Sequence, residues 1–149
     1  MSRPAPAIGA LIAACALAAA LVLPAAAAGA VHSLKGKVKG DANGTVTLKV
    51  VVKRGAPIRV RSISYSKLDG FCDQDESVGY ETPAGERSGA LKGSARVEYG
   101  GAFMAIRYGP NPQRTGVFGK VRQKGKKVKA TIEVYFDLYC KAGGTFVAT

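Results

Sequence analysis

Tryptophan is missing from this 149-residue chain, and histidine occurs once, at His32. One imidazole excludes most Ser-His and Cys-His nucleophilic chemistry, which needs a base beside the nucleophile. It also leaves too few nitrogen ligands for an ordinary zinc site. The lack of Trp removes the usual aromatic platform for a sugar ring. Acids are scarce as well, with 10 Asp and Glu against 22 Lys and Arg and a net charge of +12. Long 3.6-residue periodicity is missing outside the N-terminal run, so helices are not expected in the body of the chain.

The N-terminal stretch explains much of the remainder. Arg3 is followed by an uncharged apolar run from Ala7 to Leu23, then Pro24, then small residues from Ala25 to Ala30. That order marks residues 1–30 as a secretory signal peptide, cleaved after Ala28 or Ala30. A retained anchor fits less well: the run is short for a membrane span and mostly alanine. Ile12 to Cys15 resembles a lipobox, but Ala16 to Leu23 stays apolar, so Cys15 reads as part of the signal core. The expected protein is secreted or cell-surface, without a membrane span after cleavage. Residues 31–149 are then one domain, large enough to bury its own core.

Two cysteines remain, Cys72 and Cys140. In an exported chain an even pair reads as one disulfide, with two buried free thiols as the alternative. The loop it closes predicts roughly 4 kcal/mol from chain entropy.

The pattern after the signal is β throughout. Leu34 to Lys39 alternates apolar or small with basic residues, and Gly40 to Gly44 is a turn. Thr45 to Lys53 puts Val46, Leu48, Val50 and Val52 on one face. After the turn at Arg54–Pro57, a third strand slips phase between Val60 and Ile63, which predicts a bulge near Arg61–Ser62. Gly70 to Gly89 reads as a long loop with one short strand at most, and it carries half of the acids. Strands follow over Ala95–Tyr99, Ala102–Tyr108 and Val117–Arg122, and Gly109–Gly116 is a second loop. Lys127 to Asp137 alternates cleanly, and Thr145 to Ala148 is a short last strand. Seven or eight such strands predict an all-β fold: an antiparallel β-sandwich of immunoglobulin-like architecture, or a small β-barrel as the alternative.

Several segments carry a resemblance. GTVTLKVVVKRGAPIRVRSI, the cysteine at Cys72, GGAF at Gly100–Phe103, GKVRQKGKKVKATIEVYF at Gly119–Phe136 and CKAGGTFVA at Cys140–Ala148 resemble small exported bacterial β-sandwich proteins. The resemblance implies the sandwich and no activity. A true immunoglobulin domain is disfavoured, since Leu138 stands where the tyrosine corner would be.

Lys120, Arg122, Lys124, Lys126, Lys127 and Lys129 form a basic hairpin, the candidate anion-binding site. Lys35, Lys37 and Lys39 make a second basic stripe, and Arg59 and Arg61 a third. Outward stripes on neighbouring strands predict a positive sheet face for anionic polymers of the cell surface or wall, with binding weakened by salt. Few aromatics interleave, so nucleic acid is not expected. Edge protection by lysines is the structural alternative. Two other functions stay open. One is a protein-interaction domain using loops 70–89 and 109–116. The other is a small hydrolase using acids of the 73–86 loop. No catalytic residue, cofactor or metal is expected. Asp73–Glu76 lacks the full calcium-loop pattern. An Ala30-Val31-His32 start could hold Cu(II) only after an unfavoured cleavage.

Overall fold

The computed structural model describes residues 29–73 and 81–149. Residues 1–28, which hold most of the expected signal peptide and Cys15, and the acids Asp75 and Glu76 lie outside the described residues. Eight strands follow one another: β1 (Ala30–Lys37), β2 (Thr45–Lys53), β3 (Ala56–Asp73), β4 (Glu81–Arg96), β5 (Ala102–Tyr108), β6 (Arg114–Arg122), β7 (Lys127–Asp137) and β8 (Cys140–Ala148). All named pairings are antiparallel, and all strands belong to one sheet.

β2 forms where β-branched residues alternate, and Val46, Leu48, Val50 and Val52 are buried as the alternation requires. It joins β3 through Arg54 and Gly55, both at positive φ (52° and 76°), the two-residue turn whose twist suits a hairpin. The register of β3 slips against β4 between Val60 and Ser62, so the bulge lies where the phase change predicts it. β7 buries Val128, Ala130, Ile132 and Val134. With Leu48, Leu68, Val117 and Phe146 these form one continuous apolar core inside the curl. Burial of each such side chain contributes about 1.5–3 kcal/mol.

The chain therefore has the antiparallel all-β class, the strand number and the disulfide expected from sequence. Its layering differs from the sandwich. Among the described residues all strands belong to one sheet, which curls on itself, the course the barrel alternative describes. Closure comes from β1 meeting β8. Lys35 and Thr149 exchange backbone hydrogen bonds of 3.2 and 3.3 Å, Lys39 N donates to Thr145 O at 2.7 Å, and Val38 bridges Phe146. Gly36 permits this approach, because a Cβ there would strike the Val147 carbonyl. The curl is incomplete on the other side. β4 pairs with β3 and β5 pairs with β6, and no backbone ladder joins β4 to β5 among the described residues. The result is a half-barrel with a seam, where Leu91, Ala95 and Ala105 line a cavity of about 240 Å³.

Three local expectations change. The region 70–89 is not a long loop: β3 runs on to Asp73, and β4 starts at Glu81 and absorbs Ala95 and Arg96. β4 exists because β3 supplies its partner from Arg59 to Asp73; its glycines carry no pattern of their own. His32 belongs to a strand. It lies in β1 opposite Val50, and its Nδ1 donates to the Gly125 carbonyl at 3.1 Å. That commits the imidazole and its neighbours to the sheet rather than to a Cu(II) chelate.

The cysteines also sit inside strands. Cys72 of β3 and Cys140 of β8 are direct cross-strand partners and form the disulfide, with a sequence separation of 68. β3 outruns the short β1–β2 hairpin, and past the hairpin tip it lies directly against β8. The bridge thus ties neighbours in one sheet.

Candidate functional site

Closure of β1 onto β8 decides where the basic residues go. Lys120 and Arg122 alternate with buried Val121 on β6, and Lys127 and Lys129 flank buried Val128 on β7. All four point outward. Lys120 stands directly opposite Lys129, and Arg122 opposite Lys127. On the other side of β7, Lys129 is opposite Val147 of β8. The Val38–Phe146 bridge then sets Lys37 of β1 beside Val147. Lys35, Lys37 and Lys39 alternate with buried Leu34 and Val38 and also face outward. Two stripes about ninety residues apart in sequence become one patch across β1, β8, β7 and β6, about 14 Å wide at ordinary strand spacing.

The patch is electrostatically unbalanced. Directly opposed side chains in an antiparallel pair have Cβ atoms about 5 Å apart, and like charges there are destabilising. Glu133 is the outward acid of β7, four residues from Lys129 and roughly 13 Å along the strand. Among the described residues the single ion pair is Lys141 Nζ to Asp73 Oδ2 at 3.7 Å, both exposed and away from the patch. Its worth is small.

The remaining members of the basic hairpin are placed differently. Lys124 and Lys126 are exposed on the 3-10 turn Gln123–Gly125 and just after it, at the end of the patch. Arg59 and Arg61 lie on β3, with β2 between them and the patch. Arg59 stands opposite Arg96 of β4, a further like-charge pair that only the pairing of β3 with β4 brings together.

The strand order bears on the edge-protection role. That role needs the lysines on free edges. β6 and β7 are paired on both sides, and β1 lies between β2 and β8. The unpaired edges are those of β4 and β5. β5 has the sequence AFMAIRY, with no lysine and with Met104, Ile106 and Tyr108 exposed.

Among the described residues the acids of this stretch are not gathered in one cluster. Asp73 pairs with Lys141, and Asp69 faces Glu86 across β3 and β4. Among the described residues no group of three His, Cys, Asp or Glu is near enough to hold a metal ion. The second loop, Gly109 to Gln113, is closed by Gly109 N donating to Gln113 O at 2.9 Å and Gln113 N to Pro110 O at 2.7 Å. β6 already begins at Arg114. Among the described residues no helix is long and apolar enough to cross a membrane.

Comparison with protein-family models, with curated proteins and with solved structures gives no match.

Proposed function

We propose that this chain is an exported, non-enzymatic module that binds anionic polymers of the cell surface or wall through the outer face of β1, β8, β7 and β6. One observation carries the proposal. Lys35, Lys37, Lys39, Lys120, Arg122, Lys127 and Lys129 converge on one face, with Lys120 opposed to Lys129 and Arg122 to Lys127, and with no acid among them. Such a face is relieved by a polyanion, which releases its counterions on binding. Strand order favours this over edge protection, because these lysines sit on paired strands. The disulfide fits an oxidising compartment, and the apolar run Ala7–Leu23 supplies the route there.

The test is retention of the protein on immobilised polyphosphate, polygalacturonate and neutral dextran across a salt series. Binding to both anions, none to dextran, and a steep loss with salt are expected. Charge reversal at Lys120 and Lys129 should flatten the salt slope by about 0.7–0.9 per cation contact removed. Equal retention on dextran, or a slope that ignores the reversals, rejects the basic face. Attention then turns to a protein partner at loop 109–116.

A further inference from the structure

We infer that the mouth of the half-barrel, between β4, β5 and β7, binds a small molecule with an oxyanion head and an apolar or aromatic body, the head held by Arg87 and Arg107. This site lies on the inner face of the sheet and does not depend on the outer basic patch.

Both arginines occupy inner-face positions of their strands, Arg87 half-buried and Arg107 exposed at the mouth. Arg87 of β4 is in register with Leu68 of β3, which is fully buried. Arg107 of β5 is in register with Thr115, and Thr115 with buried Val134 of β7. The described interior holds no buried polar or charged side chain. A half-enclosed guanidinium on the inner face, such as that of Arg87, is therefore exceptional in this fold. Turning a charge toward an apolar interior is unfavourable unless it is paired.

Their partners are all neutral. Arg87 Nη2 donates to the Ala84 carbonyl at 3.1 Å, and its guanidinium carbon lies 3.8 Å from the centroid of the Phe136 ring. Its Nε is enclosed and has no acceptor among the described residues. Arg107 Nη1 donates to the Ala90 carbonyl at 3.2 Å across the seam. The cluster is short of negative charge and of lone pairs together. A carboxylate or phosphate matches that deficit, because the planar fork of Arg is suited to two-oxygen recognition. If Arg87 merely capped the end of the core on Phe136, neither the second arginine nor the enclosed Nε would be accounted for.

The surroundings supply the rest of a site. Arg87, Arg107, Tyr65, Thr115 and Phe136 line a cleft of about 390 Å³, a volume within the range of small-molecule sites. Tyr65 reaches into the mouth over Gly89, where a Cβ would lie 2.6 Å from the Tyr65 hydroxyl oxygen. A ligand body packs against Tyr65 and Phe136 while its head meets the guanidiniums.

The experiment is a titration of the folded, disulfide-intact protein with benzoate and with phenyl phosphate, followed by NMR shifts. Inorganic phosphate and benzyl alcohol serve as head-only and body-only probes. Saturable shifts at Tyr65, Gly89, Arg107, Thr115 and Phe136 are expected, stronger for the two complete probes than for either part. The tighter of benzoate and phenyl phosphate identifies the head. Arg107→Gln should weaken binding about tenfold, the scale of one charge-assisted hydrogen bond. Arg87→Lys, which keeps the charge and loses the fork, should weaken it too and leave the core intact. Lys129→Gln on the outer face should leave it unchanged. Shifts confined to Lys120–Lys129, unchanged affinity in both arginine variants, or no response to either complete probe would overturn the site.

Discussion

Asp41 shows how much one side chain in a turn can hold. Its Oδ1 accepts from Asn43 N at 3.0 Å and from Gly44 N, and its Oδ2 accepts from Asp69 N at 2.8 Å. The first two bonds fix the β1–β2 turn; the third fastens that turn to β3. Asp41→Ala should lower stability by about 2 kcal/mol, since it strands backbone donors that a charged acceptor had satisfied. Asp41→Asn should lose less. Urea midpoints at constant slope would measure both, and an unchanged midpoint would refute the tie. The turn Gly40–Gly44 is legible in the sequence, because glycine, Asp and Asn announce it. The bond to Asp69 is not, since it joins residues 28 apart. Arg87 and Arg107 stay hidden for a similar reason. Each is an ordinary surface-type residue in sequence, and only the pairing of β4 with Leu68 and of β5 with Thr115 turns it inward.

At the scale of elements, legibility follows alternation. The limits of β2 and β7 are those the pattern predicts, because period-2 runs of β-branched residues leave one register that buries the apolar face. β4 is illegible because Pro83, Gly85, Gly89 and Gly93 interrupt it; its strand character is borrowed from β3. The basic hairpin was readable as a hairpin. Its union with Lys35–Lys39 was not, because that depends on β1 meeting β8. The Cys72–Cys140 bridge was readable as a pair, but not as a link between adjacent strands. Cys72→Ser should destabilise by about 2–4 kcal/mol. Thermal unfolding of the variant, and of the native protein with and without reductant, would measure it. If reduction of the native protein left the melting temperature unchanged, the bridge would contribute nothing to holding β3 against β8.

For the molecule as a whole, the excess of basic charge is concentrated where it repels itself. Lys129→Glu places an acid opposite Lys120 and beside Arg122 and Lys127. It should raise the melting temperature at low ionic strength, by an amount corresponding to about 0.5 kcal/mol for one cross-strand pair. The gain should fade toward 1 M salt, where the screening length falls to about 3 Å. A variant less stable than the parent at low salt would mean that the opposed rows are not strained, and would weaken the case for a polyanion partner. A stabilised variant that also binds polyphosphate poorly would show function and stability pulling in opposite directions at the same residues.

The meeting of β8 with both β1 and β3 also sets an order of assembly. Six of the hairpin contacts join strands that are neighbours in sequence, and such pairs form on the microsecond scale. β1 and the far end of β3 must instead wait for the nine residues of β8, Cys140–Ala148. A chain delivered from its N-terminus therefore stays an open ribbon until its final strand arrives. Loss of that one strand by premature termination would leave β1, β7 and the far end of β3 each short of one partner, and the sheet would split into a β1–β4 part and a β5–β7 part.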